Sequence, residues 1–118
     1  FVIGERIIAA MRRISDNWRT NIACGARGEP IEPNAVDCDL AIRAANACDT
    51  QVAGVDILHD QRGEPYVLEV NAVPGWRALS SVTKVDIAQQ IIQYAEEIHE
   101  RPTSDASMHC GSAITQSR

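Results

Sequence analysis

Two apolar runs, Val52 to His59 and Pro65 to Ala72, flank the short polar segment Asp60-Gln61-Arg62-Gly63-Glu64, and this spacing constrains the chain more than any other feature. Runs of that length around a Gly-containing turn predict two antiparallel strands joined as a hairpin. Side chains alternate along a strand, so Glu69 and Asn71 share one face while Leu68 and Val70 share the other. A turn centred between Arg62 and Gly63 sets the pairing. His59 then faces Tyr66, Ile57 faces Leu68 and Asp56 faces Glu69. Directly opposed residues lie on one face, so Asp56, Glu69 and Asn71 converge, and Val55, Ile57, Leu68 and Val70 take the core side.

Two carboxylates set opposite each other repel, and such a pair weakens a sheet unless something compensates. Two carboxylates beside an amide oxygen form a hard-oxygen cluster suited to Mg²⁺, which commonly takes one or two carboxylates and completes its shell with water and phosphate. A register slipped by one residue would part Asp56 from Glu69, so the metal reading depends on the turn. The alternative is an ordinary wet hairpin face.

Around the hairpin the chain has its own punctuation. Phe1 to Ile3 and Arg6 to Arg13 read as strands separated by a Gly4-Glu5 turn, with Trp18 to Ile22 a third short strand and 25–33 a loop. Ala35 to Cys48 has helical spacing through Val36, Leu40, Ala44 and Ala47, with Asn34 or Asp37 as N-cap. Residues 74–83 read as a polar loop holding Arg77 and Lys84 at its end, with Trp76 as a lid. Val85 to His99 is a second amphipathic helix, with Val85, Ala88, Ile91, Ile92 and Ala95 inward and Asp86 near its start. The order predicts an α+β fold, an antiparallel sheet with two packed helices.

Composition excludes more than it assigns. The 118 residues carry a formal charge of −5, so no nucleic-acid partner is expected, and no apolar run approaches the ~20 residues of a membrane span. Cys24, Cys38, Cys48 and Cys110 form no C-x-x-C and no zinc spacing with His59, His99 or His109. Reduced thiols and a cytoplasmic location are expected. His59 reads as a structural residue near the turn. The opening Phe1-Val2-Ile3-Gly4 suggests a piece of a longer protein, and 102–118, rich in Ser, Thr and Gly, reads as a disordered tail.

Val52-Ala53-Gly54-Val55-Asp56-Ile57-Leu58, a turn, Leu68-Glu69-Val70-Asn71-Ala72-Val73-Pro74-Gly75 and a helix opening with Val85-Asp86-Ile87-Ala88 resemble the carboxy-terminal half of an ATP-grasp ligase. Within that superfamily the chain is most similar to RimK-like amino-acid ligases. These include enzymes adding glutamate to ribosomal protein or to tetrahydromethanopterin, and LysX-type enzymes adding an amino acid to an amino-group carrier protein. Ala9-Ala10-Met11-Arg12-Arg13 and Trp18-Arg19-Thr20-Asn21 are similar to a strand and loop of the same half-domain. The likeness spans roughly residues 1–100, a partial domain over 1–101.

The resemblance implies ATP-dependent carboxylate–amine ligation through an acyl phosphate. Asp56, Glu69 and Asn71 would hold Mg²⁺ (or Mn²⁺) on the ATP phosphates, with Asn71 also on the cofactor side. Arg13 and Asn21 would contact phosphate or the acyl phosphate, and Gly75 would present backbone near the acyl group. The partners would be an amino acid such as glutamate and a small-molecule, coenzyme or protein acceptor. A half-domain alone would be inactive, and its open apolar surface predicts self-association as a homodimer. A non-catalytic binding or assembly domain that keeps the fold is the alternative.

Overall fold

The computed structural model describes residues 1–14 and 27–100. Asn21, the expected strand from Trp18 to Ile22 and the expected tail at 102–118 lie outside them. Six strands and three helices follow in the order β1 (Val2–Ile3), β2 (Arg6–Ile7), β3 (Met11–Ile14), β4 (Arg27–Pro30), α1 (Ala35–Ala47), β5 (Val52–His59), β6 (Pro65–Asn71), α2 (Arg77–Thr83) and α3 (Ile87–Glu100). The class is α+β with antiparallel pairing throughout: β2-β1-β5-β6 form one sheet and β3-β4 a second.

The core forms on both sides of these strands. Val2, Ala41, Ala45 and Ala53 bury one cluster where α1 lies on β1 and β5, with Ile7, Ile42, Val55, Ile57 and Val70 packed around it. Ala9, Leu79 and Ile87 bury a second, joined by Phe1, Met11, Trp76, Val85 and Ile91. Asn34 is the N-cap of α1: its side-chain oxygen accepts the Asp37 N–H at 2.8 Å, satisfying one of the orphan donors of the first turn. Asp86 caps α3 in the same way, accepting the Gln89 N–H at 3.0 Å.

Three expectations from the sequence are corrected. The single strand from Arg6 to Arg13 is two, because the chain leaves the first sheet after Ile7 and starts the second at Met11. Arg27–Pro30 is a strand within the expected loop, paired only with β3 among the described residues. Its glycine is what fits it there: a Cβ on Gly28 would lie 3.0 Å from Val82 and 3.2 Å from the Met11 sulfur. Residues 77–83 form a third helix instead of a polar loop, anchored by buried Leu79 and closed by Lys84 at φ 61°.

The inward face of α1 is turned by one position, and that of α3 holds in part, with Val85 and Ile91 packed inward as expected. Ala41 and Ala45 of α1 are buried, while Val36 is 62% exposed; Ile87 of α3 is fully buried, while Ile92 is 59% exposed. Alanines let α1 approach the sheet closely, and their weak hydrophobicity hides that face from a pattern read by bulk.

The β1–β2 turn is pinned from α3. Gly4 adopts φ +57°, and a Cβ there would lie 2.8 Å from the Tyr94 ring. The Tyr94 hydroxyl donates to Gln51 Oε1, and Arg6 reaches Glu97 at 3.0 Å. Gly4→Ala meets both the left-handed backbone and the ring, so we expect it to lower stability by about 1–3 kcal/mol. Urea denaturation measures this, and an unchanged midpoint would contradict the packing described.

Candidate functional site

The β5–β6 pairing decides which polar groups meet. Gly54 pairs with Asn71, Val55 with Val70 and Asp56 with Glu69, as the alternation requires. Beyond Asp56 the register shifts: Ile57 pairs with Val67, Leu58 with Tyr66 and His59 with Pro65. Leu68 is the extra residue of a β-bulge. The expected pairs His59–Tyr66 and Ile57–Leu68 are therefore corrected, and Leu68 leaves the core to stand 65% exposed. The turn itself is tied by Asp60, whose side chain accepts the N–H groups of Arg62 and Glu64 at 2.8 and 2.9 Å.

Asp56 and Glu69 keep their shared face because Val55 and Val70, on the other face, pack toward α1. A slip by one residue would drive both carboxylates into that apolar cluster, at a cost of several kcal/mol per ion. Arg13 offsets their repulsion. Its guanidinium lies 2.5 Å from Asp56 Oδ2, with the two side chains 35% and 44% exposed. Alternation along β3 sets Met11 and Arg13 on one side, and both line the same cavity. This distinguishes Arg13 from its neighbour Arg12, which lines only the larger groove beside it.

That cavity, of about 320 Å³, is bounded by Phe1, Met11, Arg13, Gly54, Val55, Asp56, Glu69, Asn71, Pro74, Gly75 and Leu79. It gathers Arg13, Asp56, Glu69, Asn71 and Gly75 from three separate stretches of chain. Asn71 ends β6 and turns the chain: its Oδ1 accepts the Val73 N–H at 2.9 Å, which fixes the amide plane and leaves that oxygen a second lone pair. At Gly75 a Cβ would meet nothing within 4 Å, so the glycine keeps open space beside the cavity and serves no packing contact.

The donor set fits a hard divalent cation. Asp56, Glu69 and the Asn71 amide offer oxygen only, and Mg²⁺ takes one or two carboxylates and leaves the rest of its octahedron to water and phosphate. Among the described residues no group of three or more His, Cys, Asp and Glu side chains could hold a metal.

Other candidates take structural roles. His59 Nε2 lies 2.9 Å from Asp37 Oδ1, tying the hairpin to the first turn of α1. Cys38 and Cys48 are free thiols. Trp76 packs edge-on to Phe1, ring centroids 6.3 Å apart, instead of standing as a lid. No helix among the described residues is long and apolar enough to cross a membrane. Sequence reasoning missed the apolar flank of the site: Leu58 and Leu68 line the groove that also holds Arg13 and Asp56, and both are more than half exposed.

The RimK-like ATP-grasp domain model matches residues 1–95, and the chain belongs to that family. A probable alpha-L-glutamate ligase of Xanthomonas campestris is 42% identical over 99 residues, covering 82% of this chain and 34% of that protein. One from Rhodopirellula baltica is 40% identical over 107 residues, covering 89% and 26%. The chain thus spans about a third or less of the curated relatives it matches. The solved ATP-grasp ligase PsnB, complexed with a phosphomimetic variant of minimal precursor, Mg and ADP, superposes with a TM-score of 0.70 at 26% identity, covering 84% of this chain and 30% of that one.

The acid pair makes a stability prediction separate from any activity. Glu69→Gln removes a like-charge neighbour and should leave stability unchanged or raise it, within ~1 kcal/mol, while Asp56→Asn should cost less than about 1 kcal/mol because its ion pair with Arg13 is half exposed. Chemical denaturation of both variants checks this. A loss well beyond that range for Glu69→Gln would mean the carboxylate supports the fold.

Proposed function

We propose that this chain is the metal- and phosphate-binding part of a cytoplasmic, ATP-dependent ligase that joins a carboxylate to an amine, with L-glutamate or a similar amino acid as one substrate. The observation that carries this is the single cavity shared by Arg13, Asp56, Glu69, Asn71 and Gly75. The names of the relatives support the amino acid, and the PsnB complex with Mg and ADP supports the cofactors.

In this reading Asp56, Glu69 and the Asn71 oxygen would hold Mg²⁺, which when bound would supply charge neutralisation on the phosphate oxygens. Arg13 is already at the acid pair, and its planar fork of donors suits phosphate as well as carboxylate. Arg13 would thus be within reach of a phosphate at the acid pair. A substrate carboxylate oxygen attacks the γ-phosphorus and ADP leaves, giving an acyl phosphate. The amine then attacks the acyl carbon, the amide forms and phosphate departs. Charge grows on the acyl oxygen in that second step, where Arg13 and the backbone at Gly75 stand to stabilise it. Asn21, outside the described residues, is proposed as a further phosphate contact.

The apolar flank fits the same ligand. Leu58 and Leu68 are exposed apolar side chains in the groove beside Arg13 and Asp56. A nucleotide has matching halves, a flat apolar base and a polyanionic tail.

In the full-length protein, Glu69→Gln should abolish Mg²⁺-dependent nucleotide binding and amide formation, with a normal unfolding curve. Calorimetry with Mg²⁺–ADP and a turnover assay for ATP-dependent amide formation read both. Retained turnover would overturn the metal assignment. A wild-type protein whose stability ignores Mg²⁺ and nucleotide would instead be a non-catalytic binding domain.

A further inference from the structure

Within the cavity one contact has a geometry that its chemistry does not demand. Pro74 is buried, although the Asn71 to Gly75 turn around it is exposed. It sits directly over Gly54 of β5, where a Cβ would lie 2.9 Å from Pro74 Cβ and 3.8 Å from its Cγ. Gly54 is also the register partner of Asn71 and stands two residues before Asp56 on the same strand face. The proline ring therefore fills the place of the missing side chain.

We propose that Gly54 is a positioning residue for this site: the bare backbone there seats Pro74, and that seat holds the Asn71–Gly75 turn against the Asp56–Glu69 pair. The inference rests on the cavity's being the metal–nucleotide site. It gives the glycine a role through Pro74, with no contact to the ligand of its own.

The argument is steric. Pro74 Cβ belongs to a rigid ring and cannot rotate away, so relief must come from the backbone. Carbon atoms prefer 3.5–4.0 Å, so a methyl at residue 54 would push the turn outward by roughly 0.5–1 Å. The turn has little to resist with, since Asn71 Oδ1 to the Val73 N–H is a single neutral hydrogen bond at an exposed site. Yet the Asn71 oxygen that this bond orients is one of the three oxygens proposed to hold the metal. A displacement of about 1 Å at a reacting centre can cost on the order of 100-fold.

The experiment uses the full-length protein with Gly54→Ala, each of Pro74→Ala and Pro74→Gly, and the two double variants. Mg²⁺–ADP affinity by calorimetry and hydrogen exchange of the Val73 amide are measured on all. Gly54→Ala should weaken Mg²⁺–ADP at least about tenfold and speed Val73 exchange by a similar factor. Pro74→Ala should give no rescue, because its Cβ is the nearer clashing atom. In the Pro74→Gly background, adding Gly54→Ala should change either readout less than about twofold, the signature of a pair acting as one unit.

Gly54→Ala that binds like wild type, or that loses as much in the Pro74→Gly background as alone, overturns the positioning role. Should Gly54→Ala fail to fold, Pro74→Gly should restore folding to it, and a double variant that also fails overturns the proposal. A wild-type protein that binds no Mg²⁺–ADP overturns the ligase reading and the positioning role with it, while Val73 exchange still reports whether the seat exists.

Discussion

The Asp56–Glu69 pairing is the constraint on which the rest of the site depends, and it is held from the opposite face of the sheet. Acids directly across a strand pair would part if they could. They are kept together because Val55 and Val70 must face α1, and a strand has only two faces. Hydrophobic burial thus sets the register, and the register imposes an electrostatic arrangement the hairpin would not choose. Arg13 eases the imposition from a different sheet.

The bulge at Leu68 shows how loosely turn and site are joined. The turn centres on Arg62, half a residue from where the sequence placed it, yet Asp56 still meets Glu69. Agreement at the acids came about because the inserted Leu68 absorbs the difference. A turn-based derivation therefore reached the right pair with the wrong partners on its turn side. The hydrophobic alternation of Val55 and Val70 was the sounder ground, since core packing enforces it whatever the turn does.

Much else was legible for the same reason. β5 and β6, the N-cap at Asn34 and both long helices follow from strong periodicity or from a residue with one good role. β4 was hidden because Arg27-Gly28-Glu29-Pro30 has poor strand propensity and pairs only because Gly28 admits Met11 and Val82. α2 was hidden because seven residues rich in Ser and Thr, with no side-chain cap, hold helical form through buried Leu79. Both are tertiary facts. For the site, alternation collected Asp56, Glu69 and Asn71, whereas the phosphate and the roles of Arg13 and Gly75 came from family resemblance alone.

Gly54 marks the limit of such reading. In a strand pattern an isolated glycine says only that something comes close. Pro74, twenty residues on, likewise reads as a strand terminator and no more. Neither residue carries chemistry, so a search for donors, acids and nucleophiles passes over both. Their complementarity is one of shape, a missing methyl under a rigid ring, and shape has no signature in a single residue type. A site made of charged groups that would prefer to separate needs fixed backbone beneath them. In this hairpin that fixity comes from an absence on one strand and a ring in the turn that follows the next.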